Sequence, residues 1–126
     1  MKFLLIGLGG FLGATARYLV YYLTPQMPAT AFPLTTLGIN SLGCFFAGFF
    51  FAYLPKLHLS DHPFFYVMTI GFLGSFTTFS AFAVDTMNLF HAEKMSLAFG
   101  NILGNLCLSI LAVFLGHVVG RYLLLK

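Results

Sequence analysis

The residues of this chain best suited to chemistry are uncharged polar groups that recur inside long apolar stretches. They form three clusters, at residues 35–41, at residues 71–82, and in the row Asn101, Asn105 and Ser109. The members of this row are four residues apart, so they lie on one face of a helix. In an apolar solvent each polar group must find a partner or face a pathway. The pattern is therefore typical of hydrogen bonding between helices or of a path across a membrane.

Bond-making chemistry is the least favoured interpretation. No nucleophile and general base fall in one cluster, and the four histidines lie mostly in connections without the spacing of metal ligands. The chain carries six Lys and Arg residues against three acidic ones, with no basic run of the kind that binds nucleic acid. Cys44 and Cys107 fall within apolar stretches, where we expect them to pack as small apolar side chains. We therefore expect neither an enzyme nor a partner of nucleic acid.

The composition places these clusters in a lipid bilayer. Of 126 residues, 60% are hydrophobic and 7% are charged, whereas soluble domains carry about 25% charged residues. A spanning helix needs about 20 apolar residues, and the chain has room for four. We predict an all-α membrane protein, a single transmembrane domain over residues 1–126 with helices at approximately 3–23, 34–54, 63–90 and 95–123. Residues 1–16 also imitate a signal peptide, but the apolar pattern continues to Leu23 and favours a retained first helix.

The third predicted helix contains an unusual central segment. Gly71, Gly74 and several Ser and Thr residues crowd together there, and such a stretch is a poor helix former. A bilayer tolerates broken helix only where it is buried in protein or lines a cavity, and its freed carbonyls and amides can bind ions. We predict a break over residues 74–80, near the bilayer midplane. The alternative is a continuous helix whose hydroxyls bond to carbonyls one turn earlier.

Charged residues within the predicted helices indicate the sign of a permeating ion. Acidic residues are nearly absent from the helices, and Asp85 lies toward the end of the third one. The first helix contains a cation, Arg17, which favours an anion as the permeating species. Alternatively, Arg17 extends its charge to the membrane surface or pairs with Asp85.

Small residues four apart favour close helix packing. Such pairs pack helices within one bundle or between subunits, and because four helices scarcely enclose a path, we expect a homodimer. Lys and Arg residues in the connections are only weakly biased to one side. A weak bias is found both in proteins that insert in two orientations and in many ordinary small membrane proteins. The small-residue pairs are Gly9 and Gly13, Gly43 and Ala47, Gly100 and Gly104, and Gly116 and Gly120.

Three motifs carry a resemblance to a known family. Residues 9–18 read GGFLGATARY, residues 36–40 read TLGIN, and residues 71–82 read GFLGSFTTFSAF. In this order and in these helices they resemble the Fluc/CrcB fluoride channels, and the similarity in size and helix count extends over essentially the whole chain. Two positions depart from the pattern. Ser75 stands where the family often has a second glycine, and Ala81 where it often has threonine.

The resemblance implies an antiparallel, dual-topology homodimer in the cell (inner or plasma) membrane that exports fluoride passively from the cytoplasm through two pores. It implies that Phe79 and Phe82 line the pore and that Asn40 works with them. Arg17 would lie toward a vestibule. Further residues along the polar path would be Thr36, Ser80, Asn101, Asn105 and Ser109.

A structural sodium ion at the dimer interface is the one cofactor that the resemblance implies. Gly74 and Thr77 would offer it backbone carbonyls. The chemistry of the pore is consistent with the residue types, since fluoride is strongly hydrated and needs hydrogen-bond donors to replace its water. Phenylalanine rings have positive edges, which attract an anion.

Two other functions fit the residues. A small proton-coupled multidrug exporter also has four helices, but the first helix here has no acidic residue. A non-conducting membrane packing subunit would use Asn40, Thr77 and Ser80 only to tie helices together. Ion efflux from liposomes distinguishes these from a channel.

Overall fold

The computed structural model describes residues 2–25, 27–59 and 62–123, and their regular structure is entirely helical, which confirms the all-α part of the predicted fold class. The first, second and last long helices are α1 (Lys2–Leu23), α2 (Leu34–Tyr53) and α6 (Met95–Tyr122). A 3-10 turn, Pro55–Leu57, follows α2. The third span contains α3 (Pro63–Phe65), a π-helix (Tyr66–Leu73), α4 (Gly74–Phe76) and α5 (Phe79–His91).

Four segments of the described chain are long and apolar enough to cross a membrane: Lys2–Leu23, Leu34–Leu57, Pro63–His91 and Met95–Tyr122. Prolines mark where two of them begin, since Pro33 directly precedes α2 and Pro63 opens the third span. Proline suits a first helical position because its missing N–H has no intrahelical partner there. The chain is a multi-pass membrane protein.

The backbone of the third span changes geometry twice. Its first part is π-helical, a wide form that is rare and often found at functional sites. Helical geometry then ends at Phe76, because Thr77 (φ −72°, ψ 155°) and Thr78 (φ −150°, ψ 114°) have extended backbone. Regular helix begins again at Phe79, with the Thr78 hydroxyl accepting the Ala81 N–H at 3.2 Å. Both extended residues lie within the segment 74–80.

Glycines bring these helices into backbone contact within one chain. A Cβ atom at Gly13 would lie 2.1 Å from the carbonyl oxygen of Phe72, which places α1 directly against the end of the π-helix. A Cβ atom at Gly116 would lie 1.9 Å from the carbonyl oxygen of Phe45, which places α6 directly against α2. The small-residue pairs that contain Gly13 and Gly116 therefore bring helix backbones together within one chain.

Candidate functional site

Asn40, on α2, is bonded to both backbone groups of Thr78. Its side-chain oxygen accepts the Thr78 N–H at 2.8 Å, and its Nδ2 donates to the Thr78 carbonyl at 3.2 Å. In a continuous helix the Thr78 N–H would donate to Gly74, and the Ala81 N–H would donate to Thr77. The first donates to Asn40 instead, and the second donates to the Thr78 hydroxyl. The carbonyls of Gly74 and Thr77 are thereby released from helical bonding.

Asn40 also begins a row of hydrogen bonds that reaches α5 by way of α6. Its Nδ2 donates to Asn105 Oδ1 at 2.9 Å, and Asn105 Nδ2 donates to Asn101 Oδ1 at 2.8 Å. Asn101 Nδ2 donates to the Thr86 hydroxyl at 2.9 Å, and that hydroxyl donates to the Phe82 carbonyl at 2.8 Å. The side chains of this row are buried, and Asn101 is completely so. The i, i+4 spacing on α6 thus places two amides in direct contact.

A cavity of roughly 250 Å³ lies beside the extended segment. Phe79 and Phe82 contribute rings whose centroids are 5.2 Å apart and whose planes meet at 60°, an edge-to-face arrangement. Phe82 is 9% exposed, whereas Phe79 is 76% exposed. The cavity lining includes five of the predicted pore residues, namely Asn40, Phe79, Phe82, Asn105 and Ser109.

A second cleft, of roughly 420 Å³, is lined by Arg17, Ser80 and Asp85 among others. Thr78 lines both this cleft and the cavity, so the extended segment borders both spaces. The hydroxyls of Ser80 and Thr78 are 3.1 Å apart and share one hydrogen bond. Arg17, Thr78 and Ser80 therefore line the same cleft, which places a positive charge and two hydroxyls around it.

Asp85 is bonded to Thr36 and not to Arg17. The Thr36 hydroxyl donates to Asp85 Oδ2 at 2.5 Å, and the Tyr21 hydroxyl lies 2.8 Å from the same Thr36 oxygen. Because the Thr36 proton is engaged by the carboxylate, Tyr21 is the donor of that second bond. Within the described residues no ion pair joins Arg17 to Asp85, so the pairing considered from sequence is not formed.

Of the predicted pore residues, Thr36 and Asn101 line neither the cavity nor the cleft. Thr36 serves the carboxylate of Asp85, and Asn101 is buried behind Asn105. Thr86 was not predicted from sequence; its signal is its position four residues after Phe82, the spacing of a hydroxyl-to-carbonyl bond. The bonding of the Thr78 backbone was not predicted either, since the partner is 38 residues away in sequence.

The released carbonyls are the part of this site that fits a cation. Within the described part of the chain, no group of three or more His, Cys, Asp or Glu side chains could hold a metal ion. Hard cations prefer several oxygen ligands, and the Gly74 and Thr77 carbonyls are oxygens without helical donors. A Cβ atom at Gly74 would meet nothing within 4 Å. Two oxygens alone make an incomplete shell for such a cation.

Comparison with known proteins gives consistent matches along the chain. The family model described as CrcB-like protein, Camphor Resistance (CrcB), matches residues 4–117. A relative named fluoride-specific ion channel FluC, from Paracoccus denitrificans (strain Pd 1222), is 44% identical over 122 residues, covering 94% of this chain and 94% of the relative. Relatives of the same name from Dehalococcoides mccartyi (strain BAV1) and Legionella pneumophila (strain Paris) are 38% and 39% identical. They cover 97% and 98% of this chain, and 94% and 92% of their own lengths are matched.

Proposed function

Because this chain belongs to the CrcB family, whose model matches residues 4–117, we propose that it is a fluoride-selective channel that lets fluoride leave the cytoplasm passively. The proposal rests above all on the cavity beside the extended segment. There an edge-to-face phenylalanine pair lines the same cavity as the amide of Asn105 and the hydroxyl of Ser109. Ring edges and hydroxyl donors replace part of the water shell of a small anion.

The arrangement around this cavity favours an anion over a cation. Arg17 supplies positive charge to the neighbouring cleft, and the carboxylate of Asp85 is engaged by the Thr36 hydroxyl. In this proposal Arg17 attracts the anion to the vestibule. Ser80 and the cavity hydroxyl of Ser109 then lie along its path on either side of Thr78.

A dimer completes the pore in this proposal. Phe79 is a large aromatic side chain that is 76% exposed in the single subunit, although it lines the cavity. A second copy, inserted in the opposite orientation, would cover Phe79 and enclose the cavity, and the symmetry of such a pair gives two pores. We place this dimer in the inner or plasma membrane of the cell.

A sodium ion at the centre of that dimer is proposed for the carbonyls of Gly74 and Thr77. Supporting this, both carbonyls have lost their helical donors, and Gly74 lies on an open surface. Oxygens from two copies would build a shell that one copy leaves incomplete.

The proposed function is tested by ion efflux from liposomes. Purified protein in potassium-loaded liposomes should release fluoride rapidly once valinomycin is added, and release negligible chloride, as recorded with ion-selective electrodes. Phe79→Ile should slow fluoride efflux about fivefold, because an aromatic edge contact is worth about 1 kcal/mol. Phe114→Ile serves as the matched control, since Phe114 is also exposed but is not among the residues that line the cavity.

Absence of fluoride efflux from monodisperse wild-type protein would contradict the channel. A proton signal driven by cationic drugs in the same liposomes would then favour the exporter.

The dimer and its sodium ion have a separate test at Gly74. Gly74→Ala should leave the helices of the subunit intact, since its Cβ would meet nothing within the chain, yet it should weaken dimerisation and sodium binding. Light scattering in detergent measures the first and sodium-dependent thermal stability the second. Gly7→Ala is the control, because Gly7 likewise has nothing within 4 Å. Equal behaviour of the two variants would contradict the proposed interface.

A further inference from the structure

The hydrogen bonds beside the cavity run in one continuous direction. They start at the Thr78 N–H and end at the Phe82 carbonyl, and each side chain between them accepts one bond and donates the next. The four side chains, in order, are Asn40, Asn105, Asn101 and Thr86, here called the amide network. The five successive distances are 2.8, 2.9, 2.8, 2.9 and 2.8 Å.

The two ends fix the orientation of every amide in the network. A backbone N–H can only donate and a backbone carbonyl can only accept. Asn40 must therefore present its oxygen to the Thr78 N–H and its nitrogen to Asn105. Asn105 and Asn101 must in turn accept with their oxygens and donate with their nitrogens, as far as Thr86. Turning any one amide over would set two donors or two acceptors against each other. The network therefore has a single arrangement in which all of its members are satisfied.

The network leaves few of its hydrogens for a ligand. The second N–H of Asn40 donates to the Thr78 carbonyl at 3.2 Å, and the second N–H of Asn105 donates to the Asn101 carbonyl at 3.2 Å. The Ser109 hydroxyl, in contrast, makes no hydrogen bond to another described residue while lining the same cavity. Of these three cavity residues, Ser109 is therefore the one that keeps a free donor.

Both ends of the network belong to one short segment. Thr78 precedes the first turn of α5 and Phe82 lies within it, so the segment 78–82 carries both aromatic rings of the cavity. The bonds leave this segment for α2, pass to α6 and return to α5. We propose that the amide network positions Phe79 and Phe82 for conduction, and that Asn40 acts through the Thr78 backbone and not as a ligand of the anion. This inference rests on the proposed function.

Thr86 is the residue that distinguishes positioning from ligand binding. Thr86 and Asn101 line neither the cavity nor the cleft. Thr86→Val keeps the side-chain shape but removes the hydroxyl that accepts from Asn101 and donates to the Phe82 carbonyl. Thr86→Ser keeps that hydroxyl. Thr69→Val is the matched control, because Thr69 is also buried and its hydroxyl bonds the Phe65 carbonyl one turn earlier at 2.6 Å.

The experiment measures fluoride efflux from liposomes together with hydrogen–deuterium exchange of the segment 77–82 in detergent. Thr86→Val should speed exchange of this segment and slow fluoride efflux, each by about tenfold, because a buried hydrogen-bond partner is lost. Thr86→Ser and Thr69→Val should stay within about twofold of wild type in both measurements. Asn101→Leu cuts the network at its middle and should give the same two changes. It serves as the test variant if Thr86→Val does not fold.

The outcomes separate this inference from the proposed function. If Thr86→Val and Asn101→Leu exchange like wild type, the network does not position the segment and the inference is overturned. If exchange speeds up while efflux is unchanged, the rings do not need this positioning, which also overturns it. If the wild type passes no fluoride, the proposed function fails, and unchanged exchange in the variants would remove the positioning role as well.

Discussion

The same two helices, α2 and α6, are joined in two different ways at two places along their length. At one place, the glycine interface (Gly48, Gly116 and Gly120), backbone meets backbone. Cβ atoms at these positions would lie 2.1, 1.9 and 2.7 Å from carbonyl oxygens of the facing helix. At the other place, Asn40 and Asn105 join the helices by a side-chain hydrogen bond of 2.9 Å.

The two contacts fix different properties of the helix pair. Lipid gives helices no hydrophobic reason to associate, so close packing and hydrogen bonds must hold them. The glycine interface fixes how near the helices approach, but it has no donor or acceptor side chains to impose a direction. The amide network fixes which groups face each other, and through Thr78 it reaches a third element. The glycine interface is therefore expected to contribute more to stability, and the amide network is expected to set the geometry of the cavity.

Gly116→Ala should have the largest effect on stability. The added Cβ would lie 1.9 Å from the Phe45 carbonyl oxygen, which is backbone and cannot rotate away, so the helices must separate along the interface. Overpacking costs about 1–3 kcal/mol, and more where backbone must move, so we expect a loss of about 3 kcal/mol or more. Unfolding in mixed micelles, followed by circular dichroism, measures it. Wild-type stability in this variant would mean that the two helices do not approach as closely as the 1.9 Å distance indicates.

Asn40→Leu should have an intermediate effect on stability but a complete effect on conduction. It leaves the buried Thr78 N–H and carbonyl without partners, and unpaired buried groups of this kind cost about 1–3 kcal/mol. We expect a loss of about 2 kcal/mol in the same unfolding assay, and no fluoride efflux. Ser41→Ala is the neighbouring control, because the buried Ser41 hydroxyl has no hydrogen-bond partner to lose. An equal loss in both variants would contradict the role given to Asn40.

Gly104→Ala should have the smallest effect and should sharpen the contrast within α6. Its Cβ would meet Leu37 and Phe32 side chains at 3.9 Å, which is ordinary contact. Alanine is a better helix former than glycine by about 1 kcal/mol, so we expect stability to be unchanged or to rise by less than about 1 kcal/mol. A loss like that of Gly116→Ala would show that small residues are needed along the whole of α6.

Local sequence signals predicted the helices, while the details of the site depended on distant partners. Uncharged runs and flanking prolines are properties of neighbouring residues, so the four segments could be read directly. The glycines and hydroxyls of residues 74–80 indicated a weak helix there. They could not show that Thr77 and Thr78 are the extended residues, because that depends on Asn40, which lies 38 positions earlier.

Side-chain roles were harder to predict than side-chain positions. The spacing of Asn101 and Asn105 placed them on one face, and they are hydrogen-bonded to each other. Which of their atoms remain free depends on Thr86 and Asn40, from two other elements. Likewise, the sequence offered Arg17 as a partner for Asp85, but the fold supplies the Thr36 hydroxyl at 2.5 Å.

The amide network consists only of neutral side chains, and this has a consequence for how the protein responds to the energised membrane. Voltage does work of about 2.3 kcal/mol on each elementary charge that crosses 100 mV, but amides and hydroxyls carry no net charge. None of Asn40, Asn105, Asn101 and Thr86 gains or loses a proton in the physiological range. The hydrogen bonds of the amide network are therefore expected to stay the same whether a cell is polarised or depolarised, acidified or neutral.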